Sequence, residues 1–440
     1  MIPVLTSSEM RLADAAAIAE SSQEAVLARA GVAVGHVAAT MLGSTYGRRV
    51  AVVVGPGLNG ADGRLAGQYL RARGAKVELI EVTNQPKELR GVDLYIDAAF
   101  GLGCSRPYVA PRVADGVAVL AVDLPSGVDA DTGALHGRPV RADVTIALGA
   151  LKPAHLVGEA ATYCGDVVLN TIGITSHATR HLVEDDDVAA LIHQRRDEHK
   201  WSHALYVAAG SELMPGAAAL VCDAALASGA SMIRLRPFGE LARLYGWPDE
   251  VVLESGDEID ERCRAVVVGP GVGSDPAAQA FADDVVRASR VPLVLDADGI
   301  TRERLALRRL SSELIVTPHG GELRRLIQEP TGNSLIDAVR VATETGVTVL
   351  LKGPVTVIAA PTGNVLFVTS GTPSLATAGT GDVLSGMIGA ALARGLSPLL
   401  AAGLSAHVHG LAGQRLAPYG QASRMDDAIR QVLRELEHAN

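Results

Sequence analysis

The residues best suited to chemistry are Ala378-Gly379-Thr380-Gly381-Asp382, followed by Val383, Leu384, Met387, Ile388, Ala391 and Leu392 at helical spacing and stopped by Gly395. A glycine-rich turn that opens a helix points backbone N–H groups at an anion. A carboxylate at that helix start, Asp382, can take a proton from a hydroxyl near a transferring phosphoryl group. The plainer alternative is a glycine turn with an aspartate cap. Against it stands Lys352-Gly353-Pro354-Val355-Thr356, a lysine at a strand end ahead of a hairpin-like return, placed to reach a phosphate or frame a nucleotide pocket. No Walker A sequence exists, which disfavours a P-loop fold.

A second set of candidates lies in the first half. Gly55-Pro56-Gly57-Leu58-Asn59-Gly60-Ala61-Asp62-Gly63 follows an apolar strand and contains GxGxxG, with Glu78 about twenty residues on, as a dinucleotide fingerprint requires. Pro56 stiffens that turn, and Asn59 and Asp62 crowd it where a pyrophosphate cradle wants bare backbone, so a dehydrogenase ranks last. Asp62 has a second reading as a helix cap. Asp97 closes one strand ahead of Gly101-Leu102-Gly103-Cys104-Ser105-Arg106-Pro107, and Asp123 closes another ahead of Pro125-Ser126-Gly127. Ligands of parallel sheets bind outside the carboxyl ends of the strands, so Asn59, Asp97, Asp123 and Ser126 can converge on one crevice. Their hard oxygens suit an alkali or alkaline-earth cation beside a polar ligand.

In the second half Gly269-Pro270-Gly271-Val272-Gly273, Asp296-Ala297-Asp298 and Thr317-Pro318-His319-Gly320-Gly321-Glu322 each follow an apolar strand and would line one carboxyl edge. His319, between a proline and a glycine pair, becomes a ligand contact in that setting. His407 and His409 stand two apart on a helical pattern and point about 200° apart. They cannot share a metal and read as packing or polar contacts.

These groups must be positioned by the strand-like runs at 50–54, 77–82, 92–97, 117–124 and 143–148, and by a second series at 204–209, 265–269, 292–298, 314–318, 348–353 and 355–360, with helical patterns between many of them. Alternation of this kind predicts parallel βαβ units. The fold class is therefore α/β, as two tandem three-layer domains: residues 1–175, a linker and start of the second domain at 176–198 that carries Glu184 to Asp187 and Arg195-Arg196, and residues 199–440. A chain of 440 residues is long enough for two or three domains. Aromatics are only 3% of the chain, so Ala, Val, Leu and Ile must build the cores.

The net charge is −10, which argues against nucleic acid or an anionic membrane surface as a partner. Four widely spaced cysteines, Cys104, Cys164, Cys222 and Cys263, form no CxxC pair and fit a reducing cytoplasm. Glu9, Arg11 and Asp14 interrupt what a secretory peptide would need, so the first residues read as a helix. Residues 353–381 lack charge but are broken by proline and glycine, and no transmembrane segment is predicted.

GPGLNGADG, DAAFGLGCSRP, VDLPSGVDADTG, ALGALKP and YCGDVV, in this order over roughly residues 4–174, resemble the YjeF N-terminal family of NAD(P)H-hydrate epimerases, a Rossmann-like domain. The resemblance implies potassium ligands at Asn59, Asp97 and Ser126. It implies hydrate contacts at Asn59, Gly60, Ala61, Asp62, Gly101, Gly103, Ser105 and Arg106, and an acid/base at Asp123. Leu58 and Ala61 stand where the family usually has Asn and Gly. Should the backbone there need close approach or positive φ, the Ala61 methyl would obstruct it.

His199-Lys200, MPGAA at 214–218, GPGVG, LDADG, TPHGGE, LKG and ATAGTGDVLSG, over about 185–436, are similar to the ribokinase-like NAD(P)H-hydrate dehydratases. That similarity implies ADP or ATP with Mg²⁺ and loss of phosphate from the hydrate to restore NADH or NADPH. It makes Asp382 the base, and places nucleotide contacts at Lys352, Gly353, Thr356, Thr372, Gly379, Thr380 and Gly381. Hydrate contacts fall at Ala217, Gly273 and His319. Trp201 stands where the family usually has Gly, and Ala208-Ala209-Gly210-Ser211 where it has GGS. Family analogy favours a homo-oligomer. Two alternatives are a ribokinase-like small-molecule kinase, which would leave a stable phosphorylated product, and a first domain that binds ligands without catalysis.

Overall fold

The computed structural model describes residues 1–103, 106–191, 199–239, 247–307 and 313–439. The chain forms two compact units, Ile2–Arg180 and His181–Asn440, with Met1 counted in the second. Ser105, Cys104, Arg195 and Arg196 lie outside the described residues. The stretch 176–198 contributes a strand at its start and a 3₁₀ turn at Asp185–Ala190.

The first unit begins with α1 (Ser7–Glu20), where Thr6 and Glu9 form a capping box: the Glu9 N–H donates to Thr6 Oγ1 at 3.3 Å and the Thr6 N–H to Glu9 Oε2 at 2.7 Å. Two donors left over at the helix start are thereby satisfied. α2 (Gln23–Leu42) is long and apolar enough, by length and composition, to cross a membrane, and is the only such helix among the described residues. Its residues Val26, Ala30, Val34 and Ala38, at i, i+4 spacing, instead belong to the buried core of the unit.

The strands are β1 (Arg49–Val54), β2 (Lys76–Glu81), β3 (Leu94–Ala98), β4 (Ala118–Val122), β5 (Val144–Leu148) and β6 (Asp166–Asn170), with α3 (Leu58–Arg71) after β1 and the short α4 (Pro153–Leu156) after β5. They form one sheet in the order β6-β5-β4-β3-β1-β2, and every pairing is parallel. Alternate residues enter opposite cores. Val50, Val52 and Val54 pack with α1 to α3, while Ala51 and Val53 pack with Tyr95, Tyr108, Ala110 and Val140. The order reverses at β1 and β3, so the loops after these two strands flank a crevice at the carboxyl edge.

The second unit holds β7 (Arg180–Leu182), β8 (Ala204–Ala208), α5 (Pro215–Ala227), β9 (Met232–Leu235), β10 (Val251–Leu253), β11 (Ala265–Val268), α6 (Pro276–Ala288) and β12 (Leu293–Leu295). Then come α7 (Arg302–Ala306), β13 (Leu314–Val316), α8 (Gly320–Leu323), α9 (Ser334–Thr345), β14 (Thr348–Leu351), β15 (Thr356–Ala359), β16 (Val365–Val368), α10 (Thr380–Ala393), α11 (Pro398–Leu416) and α12 (Met425–Ala439). The sheet runs β7-β16-β15-β14-β13-β12-β11-β8-β9-β10. It is parallel from β10 to β14 and antiparallel through β15 and β16. A second reversal of order, at β8 and β11, marks the carboxyl edge where ligands of such sheets bind. The expected apolar face of α10 is buried: Val383, Leu384, Met387, Ile388, Ala391 and Leu392 all belong to the main core of this unit.

Candidate active sites

In the first unit, the loop after β1 is almost no loop. Gly57 is the N-cap of α3, so Asn59, Gly60, Ala61 and Asp62 form the first turns of the helix itself. Ala61 is not at positive φ, and its methyl is ordinary helix. The position that demands glycine is its neighbour: a Cβ on Gly60 would overlap the carbonyl of Gly55. The capping role for Asp62 fails, because it lies within the helix and makes no cap bond. Its side chain is buried and its Oδ1 has no hydrogen-bond partner. Burial first, then the charges of Asp123 and Asp14, push the Asp62 carboxyl up to about 8.

Asp123 follows β4 in a left-handed conformation, φ 65°, a strained state for a non-glycine residue. It is held there from several sides. Its N–H donates to Ile146 O at 2.8 Å, its carbonyl meets His155 Nε2 at 2.7 Å, and its Oδ1 accepts from Leu148 N–H at 3.2 Å and forms an ion pair with the buried ammonium of Lys152. Burial, then the nearby Lys152 charge, holds His155 down at about 4, so that imidazole is neutral. A cavity of about 390 Å³ opens over these groups, and Asn59, Asp62, Gly101, Gly103 and Asp123 line it. Asp14 of α1 and Lys152, to which no role was assigned from sequence, line it too. Gly60 and Ala61 stand off its wall, as does Arg106, which is exposed.

Asp97 and Ser126 lie fully buried and bound to each other: Ser126 Oγ donates to Asp97 Oδ1 at 2.7 Å and Ser126 N–H to Asp97 Oδ2 at 2.8 Å. The Phe100 N–H donates to Ser126 Oγ at 2.8 Å, which ties this pair to the loop bearing Gly101. Burial raises the Asp97 carboxyl despite these bonds. The amide nitrogen of Asn59 is buried with no hydrogen-bond partner. One buried carboxylate with an amide and a hydroxyl is a hard-oxygen set that fits an alkali cation rather than a tightly held transition metal.

In the second unit, Gly379 adopts φ 90° and is the N-cap of α10, a conformation that a side chain would strain. The N–H groups of Gly381 and Asp382 in the first turn therefore point out of the helix start, where an anion is favoured, while the Thr380 N–H makes a long bond to Thr377 O at 3.4 Å. Asp382 is raised to about 7, by burial first and by the Asp296 charge next, with Lys352 opposing. The Thr380 hydroxyl bonds back to Leu375 O at 2.7 Å, and His409 Nε2 to Thr380 O at 2.9 Å, which fixes the turn. His407 pairs with Asp185 at 2.8 Å, so the two histidines serve separate polar contacts.

Asp296, at the end of β12, is the hub of the site. Its Oδ1 accepts from Lys352 Nζ at 2.8 Å and Thr317 Oγ1 at 2.7 Å, and its Oδ2 from Ser385 Oγ at 2.6 Å. Burial pushes its carboxyl up, but the Lys352 ammonium and these bonds outweigh it and hold it below the usual range. Lys352 is thereby fixed beside the turn: a Cβ built on Gly381 would lie 3.3 Å from Lys352 Nζ. Ala297, next along, is also a non-glycine residue with positive φ, 50°.

His319 caps α8, accepting from the Gly321 N–H at 2.9 Å, and a parallel bridge pairs it with Lys352. Gly273 donates to Asp298 Oδ2 at 3.0 Å, and Ala217, in the first turn of α5, abuts Gly271. Gly353 is exposed, Thr356 starts β15 and Thr372 precedes a 3₁₀ turn at Pro373–Leu375. Trp201 carries the Arg262 guanidinium on its ring at 3.5 Å.

Residues 205–432 match the family model described as NAD(P)H-hydrate dehydratase, and residues 23–91 and 80–154 match that of the YjeF-related protein N-terminus. The bifunctional NAD(P)H-hydrate repair enzyme of Mycobacterium tuberculosis (strain CDC 1551 / Oshkosh) is 37% identical over 392 residues, 80% of this chain and 81% of that one. The chain belongs to the NAD(P)H-hydrate repair enzymes. The repair enzyme of Thermofilum pendens is 32% identical over 426 residues, with 80% of each chain covered. Among solved structures, a ribokinase-like superfamily protein from Enterococcus faecalis matches with a TM-score of 0.51 at 22% identity, over 60% of this chain and 98% of its own. That likeness shows the ribokinase-like fold of the second unit. Trp201 stacks on Arg262, and the hub at Asp296 is built from other residues.

Proposed function

We propose that this chain repairs hydrated NADH and NADPH in two steps, one in each unit. The first unit interconverts the R and S hydrates, and the second dehydrates the S form in a reaction driven by ADP or ATP with Mg²⁺. The observation that carries this reading is that each half matches its own family model, and the matched halves hold an acidic cavity and a helix-start anion turn respectively.

In the second unit Asp382 is the base at the substrate hydroxyl. A carboxyl raised to about 7 keeps both a deprotonated fraction and affinity for the proton at neutral pH. Gly379, Thr380 and Gly381 form the anion turn, and Lys352, steadied by Asp296, supplies a fixed positive charge beside it. Lys352, Gly353, Thr356 and Thr372 frame the nucleotide, and Ala217, Gly273 and His319 the hydrate. A bound adenine nucleotide supplies the phosphoryl group that lets the hydroxyl leave as phosphate. Mg²⁺, which keeps most of its waters and binds phosphates readily, belongs on the phosphates of the nucleotide.

In the first unit Asp123 is the acid/base at the hydrated carbon. Asn59 to Asp62, Gly101, Gly103, Ser105 and Arg106 hold the hydrate, and Asn59, Asp97 and Ser126 hold potassium, which supplies positive charge beside the ligand. Buried free thiols at Cys164, Cys222 and Cys263 suit a reducing cytoplasm, and the chain acts as a homo-oligomer. Domain limits of 1–175 and 199–440 belong to the same reading.

The test is product stoichiometry with S-NADHX, ADP or ATP and Mg²⁺. One inorganic phosphate released per dihydronicotinamide restored supports the reading. A stable phosphorylated product without restoration supports the kinase and overturns it.

A further inference from the structure

The cavity of the first unit holds two carboxyl groups in opposite electrostatic settings. Asp123 is ion-paired with Lys152, whereas Asp62 has a buried Oδ1 with no hydrogen-bond partner. Both line the same cavity of about 390 Å³, and neither faces solvent broadly. We propose that Asp62 is the proton donor of the epimerase reaction and Asp123 its proton acceptor, an assignment that rests on the epimerase reading of this unit.

The substrate carbon bears a hydroxyl and is bonded to the ring nitrogen. Asp62 gives its proton to the hydroxyl oxygen, the C–O bond breaks, and water departs as the nitrogen lone pair forms a C=N⁺ bond. Water then adds to the opposite face, the C–O bond re-forms, the C=N⁺ electrons return to nitrogen, and the extra proton passes to Asp123. Nothing is oxidised or reduced, and the only co-reactant is the water released and taken up. The reverse epimerisation runs with the roles exchanged, as microscopic reversibility requires.

Surroundings of the two carboxyls keep these roles apart. Lining the cavity with Asp62 are Arg11 and Asp14 from α1, Asp123 from the segment after β4 and Lys152 from the segment after β5, with neutral His155 behind Asp123. Asp123 takes the ammonium, and burial followed by the charges of Asp123 and Asp14 lets Asp62 retain its proton up to about 8. One carboxyl held in an ion pair and one buried without a hydrogen-bond partner in the same cavity suit a base and an acid respectively.

The experiment follows R/S interconversion of NADHX by the full chain without nucleotide, with the spontaneous rate subtracted, for wild type, Asp62→Asn and Asp14→Asn at a series of pH values spanning about 8. The wild-type rate should fall as pH rises through that value. Asp62→Asn should lose on the order of a hundredfold or more and with it the alkaline limb. Asp14→Asn removes a neighbouring anion and should move the limb to lower pH. An Asp62→Asn variant with the wild-type rate and limb overturns the assignment and leaves the epimerase reading standing. If that variant does not fold, an unmoved limb in Asp14→Asn overturns it equally. A wild-type chain that does no better than the spontaneous rate overturns the epimerase reading and the assignment together.

Discussion

Replacing Asp382 with Asn should abolish dehydration and make the second unit more stable. Folding raises this carboxyl from 3.8 to about 7, a shift of about 3 units at about 1.4 kcal/mol each, so holding it ionised costs at most about 4 kcal/mol. Asp382 is only partly buried, and solvent screening brings a realistic figure to about 2 kcal/mol. The sign follows from linkage. A carboxyl that titrates higher in the folded state destabilises fully above about 7, and the cost fades as pH falls toward the unfolded value of 3.8. Asn, which carries no charge, should therefore unfold later at pH 8, by about 4–8 °C, with the gain shrinking as the pH is lowered toward 4. The assay reports one unit alone, because both tryptophans of the chain, Trp201 and Trp247, lie in the second unit. A variant less stable than wild type at pH 8, an equal gain at pH 4 and 8, or retained dehydration would refute the reasoning.

The same carboxyl predicts that kcat/KM for dehydration rises about tenfold per pH unit below about 7 and then levels, checked by initial rates across that range. Asp296→Asn should raise the KM for nucleotide more than it lowers kcat, since it releases Lys352, and should destabilise the unit by about 3 kcal/mol because the ammonium loses its buried partner; equal nucleotide KM values would contradict the hub role. Gly60→Ala should lower the thermal stability of the first unit, through overlap with the Gly55 carbonyl worth about 1–3 kcal/mol, whereas Ala61→Gly should cost only about 1 kcal/mol of helix propensity. Calorimetry of the two variants distinguishes them.

The strands of both cores were legible because they are short, continuous β-branched runs, such as Arg49–Val54 and Ala265–Val268. Met232–Leu235 and Val251–Leu253 escaped because only part of each is buried, and Asp166–Asn170 because it alternates exposed and half-buried positions at the sheet edge. The strand-end aspartates were legible one at a time, but their partnerships were not. Nothing in ALGALKP says that Lys152 reaches back to Asp123, and nothing in the first helix says that Asp14 faces Asp62. At residues 57–62 the glycine-rich signature reads as a turn, and here it is the helix start, which makes Gly60 rather than position 61 the sensitive site.

The most direct test of the account gives the purified full chain an R/S mixture of NADHX with ADP or ATP and Mg²⁺ and follows the return of dihydronicotinamide absorbance. Rapid, complete recovery that depends on nucleotide is the expected result, since one unit supplies the S form that the other consumes. Recovery of the S fraction alone, with the remainder trailing at the spontaneous rate, would contradict the role of the first unit, and no nucleotide-dependent recovery would contradict the account as a whole.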